Sequence, residues 1–209
     1  KGYVETLQSL DQQIVAPIAR PLAQMDMQVV RMEMLLKDLL WLSRIESIEH
    51  SDKTTSVDMC DLTIELVEDL RAAWPDRPIM LRHEFNGLVL GDPMELHSAV
   101  SNLVVNALKY SAPASEVVIE WVLQEGRPTL SIIDKGEGID PVHIPRLTER
   151  FYRVDKSRSQ KTGGTGLGLA IVKHVALSHN AELVIESELG EGSRFSLVFD
   201  ADAIFDEGA

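Results

Sequence analysis

The chain has 209 residues, of which 44% are hydrophobic and 5% are aromatic, and its formal net charge is −13. This composition fits a soluble globular protein with a core of aliphatic side chains, organised as one large domain or as one domain plus an appendage. Nucleic-acid binding is not expected of so acidic a chain, because it depends on neutralising phosphates with basic side chains. Cys60 is the single cysteine, which excludes an internal disulfide.

The first 50 residues predict two helices. Pro17 and Pro21 are expected to interrupt the polar, helix-prone segment at the start, and residues 22–48 contain neither Gly nor Pro. The second helix carries an apolar stripe with heptad-like spacing, formed by Met25, Val29, Met32, Leu36 and Leu39. Such a stripe needs a partner. A homodimer through this helical hairpin is therefore predicted over simple packing against the rest of the same chain.

A polar segment, residues 50–56, separates the hairpin (1–54) from a second domain (55–209). The strongest helix start in that domain is Asp92 followed by Pro93 and Glu95, and this helix should end near Tyr110. The other predicted elements are strands near residues 57–60, 79–85, 88–90, 117–123, 129–133, 183–187 and 194–199, and helices near residues 61–73, capped by Asp61, and 167–178. We expect an α+β fold, a two-layer α/β sandwich preceded by an α-helical hairpin.

The segment NLVVNALKYS, residues 102–111, places three polar side chains on one face of the predicted helix. Asn102, Asn106 and Lys109 are spaced by four and three residues, so they are neighbours on the helix surface. An amide oxygen together with phosphate oxygens and water suits Mg²⁺, and Lys109 would then face a phosphate. The alternative is two amides whose hydrogen bonds are satisfied by packing against a loop.

The segment DKGEGID, residues 134–140, follows a predicted strand. Gly136 and Gly138 allow the backbone to approach a ligand closely. Asp134 at the strand end can accept a hydrogen bond from the exocyclic amine of adenine, whereas the oxygen of guanine would be repelled. An ordinary turn is the alternative, because this short pattern alone is a weak signal.

The segment RFYRVDKSRSQK, residues 150–161, is basic although the whole chain is acidic. It is either a solvated surface or a cationic cover over a polyphosphate. TGGTGLGLAIVKH, residues 162–174, follows at once, and its glycines precede a predicted helix. Helix N-termini bind anions, and glycine lets the N–H groups approach phosphates. The pattern matches neither a Walker A loop nor a dinucleotide-binding loop.

In this order, the four segments resemble the N, G1, F and G2 boxes of the ATP-binding domain of bacterial two-component sensor histidine kinases. That domain has the Bergerat-type fold, which DNA gyrase shares. The resemblance covers about residues 55–200. It implies that Asn106 binds Mg²⁺ with Asn102 near the phosphates, that Lys109 and Arg153 contact phosphate, and that Tyr110 packs near the nucleotide. It also implies that Asp134 recognises adenine. The remaining nucleotide-binding positions are Gly136, Gly138, Gly164, Gly166, Leu167 and Gly168.

The resemblance further implies ATP and Mg²⁺ as cofactors and a response-regulator receiver domain as partner. Relatives that hydrolyse ATP carry a Glu where this chain has Asn102, and an amide cannot accept a proton from water, so the site should preserve ATP. Residues 1–50 resemble the dimerisation hairpin of these kinases. The phosphoacceptor histidine is expected upstream of residue 1, so this chain alone is not expected to phosphorylate itself. Such a chain would be the cytoplasmic portion of an inner-membrane sensor, attached to the membrane only through other segments.

Two other classes stay open. A non-catalytic regulator would bind ATP only to order the cationic segment. A dimerisation scaffold would use the methionine-rich stripe alone. A hydrolytic ATPase is disfavoured by Asn102.

Overall fold

The computed structural model describes residues 19–46, 55–154, 164–201 and 204–205. Within these ranges a five-stranded sheet packs against helices, which confirms the predicted α+β two-layer sandwich. The first helix of the predicted hairpin lies outside the described residues. The helices are α1 (Ala19–Glu46), α2 (Met59–Ala73), α3 (Pro93–Tyr110) and α4 (Gly168–Ser178), with a 3₁₀ turn at Ile144–Arg146. The strands are β1 (Thr55–Asp58), β2 (Ile79–His83), β3 (Leu88–Gly91), β4 (Val117–Gln124), β5 (Arg127–Asp134), β6 (Ala181–Glu188), β7 (Gly192–Phe199) and β8 (Ile204–Phe205).

Helix α1 is 28 residues long and includes Pro21, so Pro21 does not separate the two predicted helices, and Pro17, the other predicted interruption, lies outside the described residues. Pro21 lies in the first turn, where backbone N–H groups have no intrahelical partner and a missing N–H costs nothing.

Within one chain, Met25, Met32 and Leu36 of the apolar stripe are 59%, 61% and 58% exposed. The described residues of the same chain therefore leave this stripe uncovered. None of the described helices is long and apolar enough to cross a membrane.

The five-stranded sheet has the order β2-β4-β5-β7-β6, in which only the β2–β4 pair is parallel. Strands β4 and β5 form a hairpin whose two turn residues, Glu125 and Gly126, have φ of 52° and 80°. This turn sets the register that places Trp121 opposite Leu130. Both of these side chains are fully buried on the face that the helices cover. A smaller sheet, β1-β3-β8, completes the domain.

Helix α3 begins where the sequence predicts. The Asp92 carboxylate accepts hydrogen bonds from the N–H groups of Met94 (2.8 Å) and Glu95 (3.3 Å), and Pro93 occupies the first turn. One face of α3 is apolar and fully buried at Leu96, Val100, Leu103 and Val104. Because this face lies in the core, the polar side chains on the other face are turned towards the candidate site.

His179 fixes helix α4 against the start of α3. Its Nδ1 lies 2.8 Å from the carbonyl oxygen of Val175, so Nδ1 must donate, and Nε2 then accepts from the N–H of Asp92 at 3.0 Å. These partners place the ring proton on Nδ1. The side chain is 7% exposed. The C-terminus of α4 is thereby fixed, which also sets where its glycine-rich N-terminus lies.

The start of helix α2 corrects a prediction. Strand β1 ends at Asp58, and the cap is Asp58 rather than Asp61, because the Asp58 carboxylate accepts from the N–H groups of Cys60 (2.7 Å) and Asp61 (3.2 Å). Replacing Asp58 by Ala should lower the free energy of unfolding by about 1 kcal/mol, since the cap is lost. Asp61→Ala removes only a charge from the first turn and should cost less, roughly 0.3–0.5 kcal/mol. Urea denaturation of both variants measures this, and an equal or reversed order would contradict the cap assignment.

Candidate functional site

A cavity of about 1540 Å³ lies where the polar face of α3, the turn after β5, the N-terminus of α4 and helix α1 meet. Although they lie far apart in the sequence, all but one of the predicted site residues line it. These are Asn102, Asn106, Lys109, Tyr110, Asp134, Gly136, Gly138, Arg153, Gly164, Gly166 and Gly168. Leu167 is fully buried and forms the N-cap position of α4. Leu167 therefore supports the start of α4 without lining the cavity.

The two asparagines of α3 have different surroundings. The Asn102 amide nitrogen donates to the carbonyl oxygen of Ser98 at 2.9 Å, and its Oδ1 would lie 2.6 Å from a Cβ placed on Gly168. Asn102 thus holds α3 and α4 at close distance. Asn106 is half-buried, and its side chain makes no hydrogen bond to another described residue. Its amide oxygen therefore remains available for a ligand.

Asp134 is 6% exposed and ends strand β5. Its Oδ1 accepts a hydrogen bond from the N–H of Gly136 at 2.7 Å. Burial raises the pKa of the Asp134 carboxyl, and the backbone N–H groups of Gly136 and Ser193 partly oppose this rise. Backbone N–H groups therefore satisfy part of the hydrogen-bonding capacity of the Asp134 carboxylate, and the rest is directed at the cavity.

The turn after β5 requires glycine at two positions. A Cβ on Gly136 would lie 2.5 Å from the carbonyl oxygen of Tyr110, so the turn packs directly on the end of α3. Gly138 has φ of +67°, and a Cβ there would lie 1.9 Å from the carbonyl oxygen of Glu188. The glycines bring Asp134 and the α3 side chains into one cavity by close backbone packing.

Two cationic side chains lie at the glycine-rich end of the cavity. Arg153 Nη1 donates to the carbonyl oxygen of Gly164 at 2.6 Å. Burial lowers the pKa of the Lys109 ammonium; Asp38 raises it in part, and Arg153 lowers it further. A cation that is poorly solvated gains most from an anionic ligand. The basic run from residue 155 to residue 161 lies outside the described residues, as does Gly163.

Asp38 of helix α1 is a site residue that the sequence reasoning missed. Its Oδ2 accepts a hydrogen bond from Thr165 Oγ1 at 2.6 Å, and Thr165 Oγ1 in turn accepts from the N–H of Leu167 at 3.2 Å. Asp38 also lines the cavity. Its partner is 127 positions away in the sequence, and nothing in the local pattern of α1 indicates the contact.

The carboxylate of Asp38 places negative charge at the end of the cavity that holds Lys109. Replacing Asp38 by Asn should therefore tighten binding of Mg-ATP by about three- to tenfold, because a negative charge that would repel the phosphates is lost. Isothermal calorimetry at low and high salt measures this, and the gain should shrink in high salt. Asp26→Asn on the same helix is the control. Unchanged or weaker binding by Asp38→Asn would contradict the expected repulsion.

Among the described residues no group of three His, Cys, Asp or Glu side chains is placed to hold a metal ion. The predicted donor, the amide oxygen of Asn106, lies next to a cationic, glycine-lined end of the cavity. This set fits a Mg²⁺ ion that takes most of its ligands from phosphates and water. It does not fit a metal held by protein side chains alone.

A family model described as histidine kinase-, DNA gyrase B- and HSP90-like ATPase matches residues 91–203. The chain belongs to this family of ATPase-type domains. Among curated proteins, the phosphate regulon sensor protein PhoR of Pseudomonas aeruginosa is 44% identical over 200 residues, which are 95% of this chain and 45% of that protein. PhoR of Haemophilus influenzae is 40% identical over 95% of this chain and 46% of that protein.

Solved structures of histidine kinases are also similar to this chain. The mycobacterial sensor histidine kinase MprB is similar with a TM-score of 0.62 and 30% identity, over 70% of this chain and 96% of that one. The full-length ShkA structure, solved in complex with AMPPNP, has a TM-score of 0.72 and 23% identity over 100% of this chain, which bears on the fold alone. The chain spans less than half the length of the two PhoR proteins, at 45% and 46%.

Proposed function

We propose that the chain is the kinase core of a two-component sensor. Residues 55–209 bind Mg-ATP, and the γ-phosphoryl group is transferred to a histidine upstream of residue 1. The phosphoryl group then passes to an aspartate on a response-regulator receiver domain. The observation that carries the proposal is the convergence of Asn106, Lys109, Asp134 and the glycine-rich start of α4 on one cavity, in a chain of the histidine kinase-like ATPase family.

Each part of the cavity has a defined task in this proposal. Asp134 accepts a hydrogen bond from the adenine amine, and the N-terminus of α4 with Lys109 and Arg153 binds the phosphates. Asn106 would hold Mg²⁺, which when bound offsets the negative charge on the phosphates. In the transfer, the bond from the γ-phosphorus to the bridging oxygen breaks, a bond to the imidazole nitrogen forms, and ADP leaves.

The position of Asn102 supports transfer over hydrolysis. Its amide nitrogen is engaged by the carbonyl oxygen of Ser98, and its oxygen faces Gly168. An amide in this position has no proton-accepting group for an attacking water. Bound ATP would therefore persist until the histidine reaches it, and the remaining catalysis would come from orientation and charge stabilisation.

We also propose that the chain acts as a homodimer through a hairpin formed by residues 1–54. The apolar stripe on α1 supports this, because Met25, Met32 and Leu36 remain exposed in one chain. In the cell, this core would lie on the cytoplasmic side of the bacterial inner membrane, connected to it by segments outside this sequence.

The test is transfer of label from γ-labelled ATP to the protein extended upstream to include the histidine. We expect incorporation that is stable to base and labile to acid, as for a phosphorylated imidazole, and that is lost when the histidine is replaced by Gln. Tight ATP binding without any label in the extended protein would overturn the kinase proposal and favour a non-catalytic ATP-binding regulator.

A further inference from the structure

Arg77 lies outside all four sequence segments of the site, in the turn between α2 and β2. Its side chain nevertheless reaches the end of α3, 34 positions further along the chain. Nη2 donates to Ser111 Oγ at 2.5 Å, and Nη1 donates to the carbonyl oxygen of Ala112. The guanidinium thus binds two consecutive residues at the point where α3 ends.

Ser111 connects this contact to the turn that carries Asp134. Its N–H and its hydroxyl both donate to the carbonyl oxygen of Ala107, at 3.1 and 2.5 Å, which closes the last turn of α3. Its backbone forms an antiparallel bridge with Gly136. Gly136 in turn donates its N–H to Asp134 Oδ1 at 2.7 Å. A continuous chain of contacts therefore runs from Arg77 to the carboxylate.

The electrostatics favour a cation at this place. The C-terminus of a helix carries partial negative charge, and an arginine there gains from both the dipole and the free carbonyl groups. The Nε of Arg77 is buried and makes no hydrogen bond to any described residue. Two of the three guanidinium nitrogens therefore bind the end of α3, and the third finds no partner in the described part of the chain.

We propose that Arg77 is a positioning residue that sets the base selectivity of the nucleotide site. This inference rests on the proposed function, because it assumes that Asp134 recognises adenine. Arg77 holds Ser111, Ser111 holds Gly136, and Gly136 fixes the direction of the Asp134 carboxylate. Without Arg77 the turn can shift relative to α3, and the carboxylate then no longer meets the adenine amine at hydrogen-bonding distance.

The experiment uses the whole chain and compares Arg77→Gln with Arg127→Gln. Arg127 is a matched control, because it is also half-buried and also donates to backbone carbonyl groups, those of Val198 (3.4 Å) and Phe199 (3.3 Å), away from the cavity. Calorimetry gives the affinities for non-hydrolysable analogues of ATP and GTP with Mg²⁺, and thermal melting gives the stability of each variant.

We expect Arg77→Gln to reduce the ratio of ATP to GTP affinity by about tenfold, the size of one displaced hydrogen bond to a charged group. Arg127→Gln should lower the melting temperature and leave the ratio unchanged. If Arg77→Gln lowers only the melting temperature and keeps the wild-type ratio, Arg77 is merely structural and the inference is overturned. If Arg77→Gln does not fold, Arg77→Lys replaces it, since a Lys cannot bridge Ser111 and Ala112 together and should reduce the ratio partially.

The two proposals fail in different ways. Absence of ATP binding by the wild-type chain would remove the proposed function and this inference with it. Selective ATP binding by the wild-type chain, together with an unchanged ratio in both Arg77 variants, would remove this inference alone.

Discussion

Asp134→Asn is expected to weaken binding of Mg-ATP by about 100-fold. The carboxylate accepts from a backbone N–H and, in the proposed complex, also from the adenine amine. An amide has one acceptor oxygen and one donor nitrogen, so one of these two N–H partners would face the NH₂ group in a buried site. Such a mismatch costs about 1–3 kcal/mol, and more where a charged acceptor is lost. Calorimetry with a non-hydrolysable ATP analogue measures the affinity.

The same substitution should narrow the preference for ATP over GTP, because an amide N–H can donate to the guanine oxygen. Asp69→Asn is the control: it removes the same charge from an exposed position on helix α2, outside the residues that line the cavity. Its affinity for ATP should stay within about twofold of wild type, as expected of a screened surface charge. Equal affinity of Asp134→Asn and wild type would leave the adenine assignment without support.

The pH dependence of binding gives a second readout on Asp134. Burial raises its pKa, so the carboxylate is protonated at a higher pH than an ordinary aspartate. Adenine binding favours the charged form. Affinity should therefore be complete above this raised pKa and decline as the pH falls through it. In Asp134→Asn this decline should be absent.

The sequence predicts those parts of the fold and site that short local patterns specify. Helix α3 is correct at both ends because Asp92 caps it through its own neighbours and its apolar face has helical spacing. The turn after β5 is recognised because two glycines there are required by close backbone contacts. In both cases the residues that determine the structure lie within a few positions of the element they determine.

The sequence-based prediction is wrong where a partner distant in the sequence determines where an element begins or ends. Asp58 and Asp61 are both good caps by composition. Strand β1 pairs with β3 from Thr55 to Asp58, and this pairing places the strand end at Asp58. A local pattern cannot choose between such alternatives.

Three residues that support or enter the site carry no sequence motif. Arg77, Asp38 and His179 act on partners 34, 127 and 87 positions away, respectively. Each is an ordinary polar residue in its own segment, and only tertiary packing gives it a role. One general rule applies to all three: a buried polar side chain needs a hydrogen-bond partner. Which partner it finds depends on the fold.

Asn106→Ala is expected to abolish the Mg²⁺ dependence of ATP binding and to slow phosphoryl transfer at least about 100-fold, because an oxygen ligand of the metal and its charge stabilisation are lost. Asn102→Ala is the matched variant, one helical turn away on the same face. The Asn102 amide already binds the Ser98 carbonyl and packs on Gly168, so its loss should lower the free energy of unfolding by about 1 kcal/mol.

The measurement that separates the two asparagines is the ratio of ATP affinities with Mg²⁺ and with EDTA. Wild type and Asn102→Ala should both bind ATP more tightly with the metal, whereas Asn106→Ala should bind equally with and without it. A loss of Mg²⁺ dependence in Asn102→Ala but not in Asn106→Ala would exchange the two roles. The metal would then lie at the contact between α3 and α4, and Gly168 would be needed for access to that ion and not only for packing against Asn102.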